Sequence, residues 1–105
     1  MCLCINRGNM PIYILLSTLT AEGSKTIKER PERILEVNKE IENMGAKVLY
    51  QYAVLGPYDF VNVLEAPDND TIFRISTELS SRGTVKIMSM PALPVSEFIS
   101  KIKRK

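Results

Sequence analysis

Tyr58 and Asp59 form the pair in this chain best equipped for chemistry. A carboxylate beside a phenol, just after the turn residues Gly56 and Pro57, could orient a polar ligand. It could also move a proton if burial raised the pKa of the acid. Tyr50, Tyr52 and Asn62 are the expected companions, lining the same apolar cavity. A competing reading is structural: Asp in a hairpin accepts backbone N–H bonds and Tyr packs against a sheet edge. Aromatic strand residues are also more often core or dimer interface than ligand contacts. For Asp59 the structural reading is preferred. No nucleophile and base stand at a recognised spacing, so no catalytic residue is assigned.

The composition removes several chemistries. The 105 residues include no His and no Trp. A His-based triad, an imidazole base, a His-ligated zinc and a proximal-His haem are therefore out of reach. Acid–base work would fall to Asp, Glu, Tyr or Lys. Cys2 and Cys4 are too close for an easy disulfide and too few for a closed metal site. No metal and no cofactor are expected. A net charge of +2 is too small to imply nucleic acid or a membrane surface. No apolar run approaches a membrane span, and no signal-peptide pattern opens the chain. A cytoplasmic protein is the expectation. Its length suits one domain with a single thin core.

The elements that must carry the pair are readable in order. Residues 1–9 are unpatterned and read as a disordered or mis-annotated extension, with one folded unit over 10–105. Pro11–Leu19 is a strand apolar on both alternating sets, with Ile12, Ile14 and Leu16 opposed to Tyr13, Leu15 and Leu19. Thr20 suits an N-cap. Gly23 weakens the helix it starts, and Pro31 kinks or breaks that helix. Ile34, Val37, Ile41 and Met44 then recur at helical spacing until Gly45. Lys47–Leu55 is a strand whose alternation sets Val48, Tyr50, Tyr52 and Val54 on one face. A loop through Gly56 and Pro57, centred on a type I turn, returns the chain into a strand over Phe60–Ala66. Asp68 caps a helix running to about Ser81, with Gly83 beyond it. Thr84–Met90 is the fourth strand, and a short helix follows from about residue 95.

The order βαββαβ plus a tail helix gives an α+β, ferredoxin-like fold. Four antiparallel strands then carry two helices on one face. Strands apolar on both sides cannot hide both faces under those helices, and a monomer does not expose so large a patch. A second copy packed sheet to sheet, a dimeric α/β barrel, resolves the conflict. The tail helix folding over the open face ranks second, because it is too short to cover four strands.

The residues also resemble a known family. Pro11-Ile12-Tyr13-Ile14-Leu15, Thr20-x-x-Gly23, Gly45-Ala46-Lys47, Gly56-x-Tyr58-Asp59, Glu65-Ala66-Pro67-Asp68 and Gly83-x-Val85 together resemble the GYD-domain proteins over most of residues 10–93. That resemblance implies a ferredoxin-like subunit of a dimeric α/β barrel. From Gly56 onward the chain is also similar to the effector-binding domains of leucine-responsive regulators. That likeness implies a lone effector-type domain whose loop binds small molecules between subunits.

Three functions follow as expectations. The first is an oligomeric ligand-binding or regulatory module, with a small-molecule cleft near the dimer interface. The second is a cofactor-independent barrel enzyme of monooxygenase or isomerase type, and the third a purely structural oligomerisation unit. The expected partners are a second copy of the chain and a small molecule, with neither nucleic acid nor membrane.

Overall fold

Ile12–Leu19 forms β1, a central strand of the four-stranded sheet in a computed structural model that describes residues 10–104. The segment read as an extension, with Cys2 and Cys4, lies outside the described residues. The other elements are α1 (Ala21–Glu29), α2 (Arg33–Asn43), β2 (Lys47–Ala53), β3 (Phe60–Glu65), α3 (Asn69–Ser80), β4 (Val85–Ala92) and α4 (Val95–Lys103). Every strand pairing is antiparallel and the order across the sheet is β2-β3-β1-β4. This is the expected ferredoxin-like arrangement.

Local chemistry sets the boundaries. The Thr20 hydroxyl accepts the Gly23 N–H at 3.1 Å and caps α1. Pro31 ends that helix by forcing Arg30 out of helical geometry, at φ −143° and ψ 78°. Gly45, at φ +107°, turns the chain out of α2 where a side chain would be strained. Asp68 accepts the Thr71 N–H at 2.9 Å and starts α3. That bond holds the Asp68 carboxyl below the usual carboxylate range.

Gly23 has a packing role as well. A Cβ there would stand 2.0 Å from the Thr84 carbonyl oxygen. Helix α1 therefore crosses the start of β4 at a distance only glycine permits. Thr20 completes the joint, donating its N–H to the Thr84 carbonyl at 3.0 Å and its hydroxyl to the Gly83 carbonyl at 2.8 Å.

The core lies between the sheet and α2 and α3. Tyr13, Leu15 and Leu64 from the sheet meet Ile41, Ile72, Ile75 and Leu79 from the helices. Leu64 and Ile75 are fully buried, each contributing about 1.5–3 kcal/mol by leaving water. The Tyr13 hydroxyl donates to Asn69 Oδ1 at 2.6 Å. Burial, reinforced by the charge of Asp68, pushes the Tyr13 phenol up.

Two strands depart from the simple alternation. The register of β2 on β3 shifts between Val48 and Tyr50: Val48 faces Leu64, and Tyr50 faces Val63. This bulge turns Val48 towards the helices and leaves Tyr50 and Tyr52 on the opposite face, so the three do not share a side. β2 also stops at Ala53, and Leu55 is fully exposed in the following loop. β4 continues through Pro91 to Ala92. It is an edge strand, where a residue without an N–H is tolerated.

The face away from the helices carries Ile12, Ile14 and Leu16 of β1, Val61 and Val63 of β3, Met88 and Met90 of β4, and Tyr50 and Tyr52 of β2. Tyr50, Tyr52 and Met88 are about half exposed or more, at 60%, 59% and 49%. Helix α4 has no buried residue, and Phe98, Ile99 and Ile102 remain exposed. The tail helix thus leaves this face open.

Candidate functional site

Asp59 is tied to β1. Its N–H donates to the Ser17 carbonyl at 2.8 Å, and its own carbonyl accepts the Val54 N–H at 2.9 Å. The carboxylate oxygen Oδ2 accepts the Leu19 N–H at 2.8 Å. The bonds to Ser17 and Leu19 fasten the β2–β3 connection to the end of the central strand, beyond the last β1–β3 pair, and the bond from Val54 closes the connection on itself. The acceptor role expected of Asp59 within a hairpin is exercised instead on a strand forty residues earlier. Gly56, at φ +131°, supplies the loop's left-handed residue, with Pro57 next to it.

The residues expected around Asp59 divide between two faces. Tyr58 reaches over the open face, its hydroxyl 3.9 Å from the Met88 sulfur. Tyr50 and Tyr52 stand on that same face. Asn62 lies on the helix side, opposite Leu15 in the register, and is nine-tenths buried. It does not join the tyrosines. The three tyrosines and Met88 make an apolar surface with phenol tips, a composition suited to contact with another surface.

Asn62 belongs to a polar chain that the sequence reading missed. Its amide nitrogen donates to the Leu15 carbonyl at 2.9 Å and to Ser17 Oγ at 3.0 Å. Its oxygen accepts from Gln51 at 2.9 Å. Gln51 and Asn38 exchange amide bonds at 2.8 and 3.2 Å. Four polar side chains on β1, β3, β2 and α2 thus run through an otherwise apolar layer. A signal was present: Gln51 and Asn62 are polar residues at pleat positions whose neighbours are Val, Leu and Tyr. Pairing Gln51 with Asn62 places the two amides side by side.

That chain lines a partly open cavity of about 330 Å³ between the sheet and helices α1, α2 and α3. Leu15, Ile27, Val37 and Leu79 form apolar wall, and Arg33 and Arg82 also line it. The two guanidinium groups belong to an ion-pair chain. Arg82 binds Glu40 at 2.6 Å and Glu78 at 3.0 Å, and Arg33 binds Glu36 at 3.1 Å and Glu40 at 3.3 Å. Arg30 also pairs with Glu36. The hydrogen bond from Arg82 holds the Glu40 carboxyl low, and the same bond holds the Arg82 guanidinium pKa high. Exposed pairs of this kind contribute about 0–1 kcal/mol each. Their consequence is positional, because they link α2 to the residues after α3.

Among the described residues no helix is long and apolar enough to cross a membrane. The fold and these surfaces define a small ferredoxin-like α+β protein with an open apolar sheet face. A family model described as GYD domain matches residues 13–102, and the chain belongs to the GYD-domain family. Over 95 residues it is 54% identical to the glutamine synthetase and cystathionine beta-lyase binding protein of Thermus thermophilus. The match covers 90% of this chain and 100% of that relative.

Proposed function

We propose that the chain is a small cytoplasmic binding module that acts as a homodimer and docks on other proteins, metabolic enzymes among them. One observation carries the reading: 54% identity across the full length of a relative named for binding glutamine synthetase and cystathionine beta-lyase. A surface that serves binding in that relative has a counterpart somewhere in this chain.

The geometry supplies two surfaces with something to gain from contact. The open sheet face suits a second copy. It is apolar across all four strands and is centred on Ile14, Leu16 and Val63. Stacked sheets bury such faces at about 10 Å separation. Helix α4 suits a partner protein. Its Phe98, Ile99 and Ile102 are exposed, and Lys101, Lys103 and Arg104 border them. A helix with one unpartnered apolar side is the usual donor in helix-in-groove recognition.

The dimer is tested on its own. Sedimentation velocity of the chain at micromolar concentration should give a dimer, and the double variant Tyr52→Glu, Met88→Glu should give a folded monomer. A monomeric parent contradicts the sheet-to-sheet arrangement. Docking is tested by co-sedimentation with purified glutamine synthetase and cystathionine beta-lyase from the chain's own source. The chain should move in the boundary of at least one enzyme.

A further inference from the structure

We infer that the cavity between the sheet and helices α1 to α3 is a binding site for a medium-chain apolar monocarboxylate. Its carboxylate sits at Arg33 and its hydrocarbon body lies inside.

The space sets the body. A cavity of about 330 Å³ is at the lower end of ligand pockets, which run from about 300 to 1,000 Å³. It would hold about ten waters at the ~30 Å³ each occupies in the liquid. Each such water needs two or more polar partners. The walls supply few, because the inward amides are largely spent on one another. Both Asn62 amide protons go to the Leu15 carbonyl and Ser17, and both Gln51 protons go to Asn38 and Asn62. An apolar body satisfies Leu15, Ile27 and Val37 better than water does.

The remaining polar capacity sets the head group. Arg33 contacts Glu36 and Glu40 through Nη1 in both cases. Among the described residues, its Nη2 and Nε protons are given to no acceptor. Arg82, by contrast, spends Nε, Nη1 and Nη2 on Glu40 and Glu78. Inside, Ser17 accepts from Asn62 and keeps its own proton to donate, and Asn38 keeps one amide proton. The charged donor with protons still on offer is the Arg33 guanidinium, which matches a carboxylate bidentately. The inference rests on this cavity alone and stands apart from the protein partners proposed above.

The test uses octanoate, 1-octanol and octylammonium with the full chain at pH 7, read by calorimetry and thermal shift. Octanoate should raise the melting temperature and bind at least about tenfold more tightly than 1-octanol, the difference a charge-assisted contact makes. Arg33→Gln should bring octanoate down to the level of 1-octanol. Val37→Phe on α2 and Ile27→Phe on α1 each fill the cavity and should abolish octanoate binding with the fold retained. If one of them fails to fold, the other gives the reading. Octanoate binding that survives in a folded filler variant overturns the site. Equal binding of octanoate and 1-octanol by the parent overturns the carboxylate, and no octanoate binding overturns both.

Discussion

Gly23→Ala should lower the melting temperature by about 15 °C. The added Cβ meets the Thr84 carbonyl oxygen at 2.0 Å, the Thr84 carbonyl carbon at 2.9 Å and the Leu19 side chain at 3.2 Å. Leu19 can shift, but the carbonyl is backbone. It is also the group that accepts the Thr20 N–H at 3.0 Å, so moving it opens the joint between α1 and β4. Overpacking of this kind costs about 1–3 kcal/mol and occasionally more. A collision with backbone belongs at the upper end. At about 4–8 °C per kcal/mol for a domain near this size, the shift should be plain in a circular dichroism melt. The helix-propensity effect has the opposite sign, since alanine is better than glycine by about 1 kcal/mol in a helix interior. A variant that melts at or above the parent would show that propensity outweighs packing here, and that α1 can move off β4.

Asp59→Ala should be the next most damaging change. It removes the only side-chain acceptor shown for the Leu19 N–H, at 2.8 Å. That bond is part-buried, so the loss falls towards the lower end of the about 1–3 kcal/mol that an unpaired buried donor costs. The same loop keeps two backbone bonds, Asp59 to Ser17 and Val54 to Asp59, so it should stay in place and the loss should stay in that range. Asp59→Asn retains an oxygen acceptor and should melt within a few degrees of the parent, on the order of 1 kcal/mol or less for exchanging a charged acceptor for a neutral one. Paired melts separate the two. If both variants behave like the parent, the carboxylate is not holding the loop, and its value lies in contact with a ligand or partner.

Much of the fold was legible because its punctuation is local. Thr20, Pro31, Gly45, Asp68 and Gly83 each act through one or two neighbouring backbone groups, so their effect can be read without knowing what lies across the molecule. What depends on a distant partner was not legible. The β2 bulge is set by how Val48 and Tyr50 meet β3, and it reversed the face expected for Val48 relative to the tyrosines. Asn62 lies apart from its expected companions Tyr50 and Tyr52 for a related reason. In β1 both alternating sets are apolar, so the pattern alone does not say which set meets the helices, and the face of Asn62 follows from its pairing with Leu15. By propensity, a property of the segment, Gly23 only weakens its helix; the close approach to Thr84 depends on a distant part of the chain. The open apolar face, in contrast, was visible in the sequence, since too many apolar strand positions compete for the helices available.

Docking on enzymes of the kind named for its relative can be measured on the purified chain. The most direct measurement is biolayer interferometry with the chain immobilised. Purified glutamine synthetase and cystathionine beta-lyase from the same source are titrated over the parent and over the double variant Phe98→Glu, Ile102→Glu. Saturable binding of at least one enzyme to the parent is expected, with its loss in the α4 variant and an unchanged melting temperature, because neither side chain is buried. Binding of neither enzyme to the parent would contradict the claim, and equal binding by parent and variant would remove α4 as the docking surface.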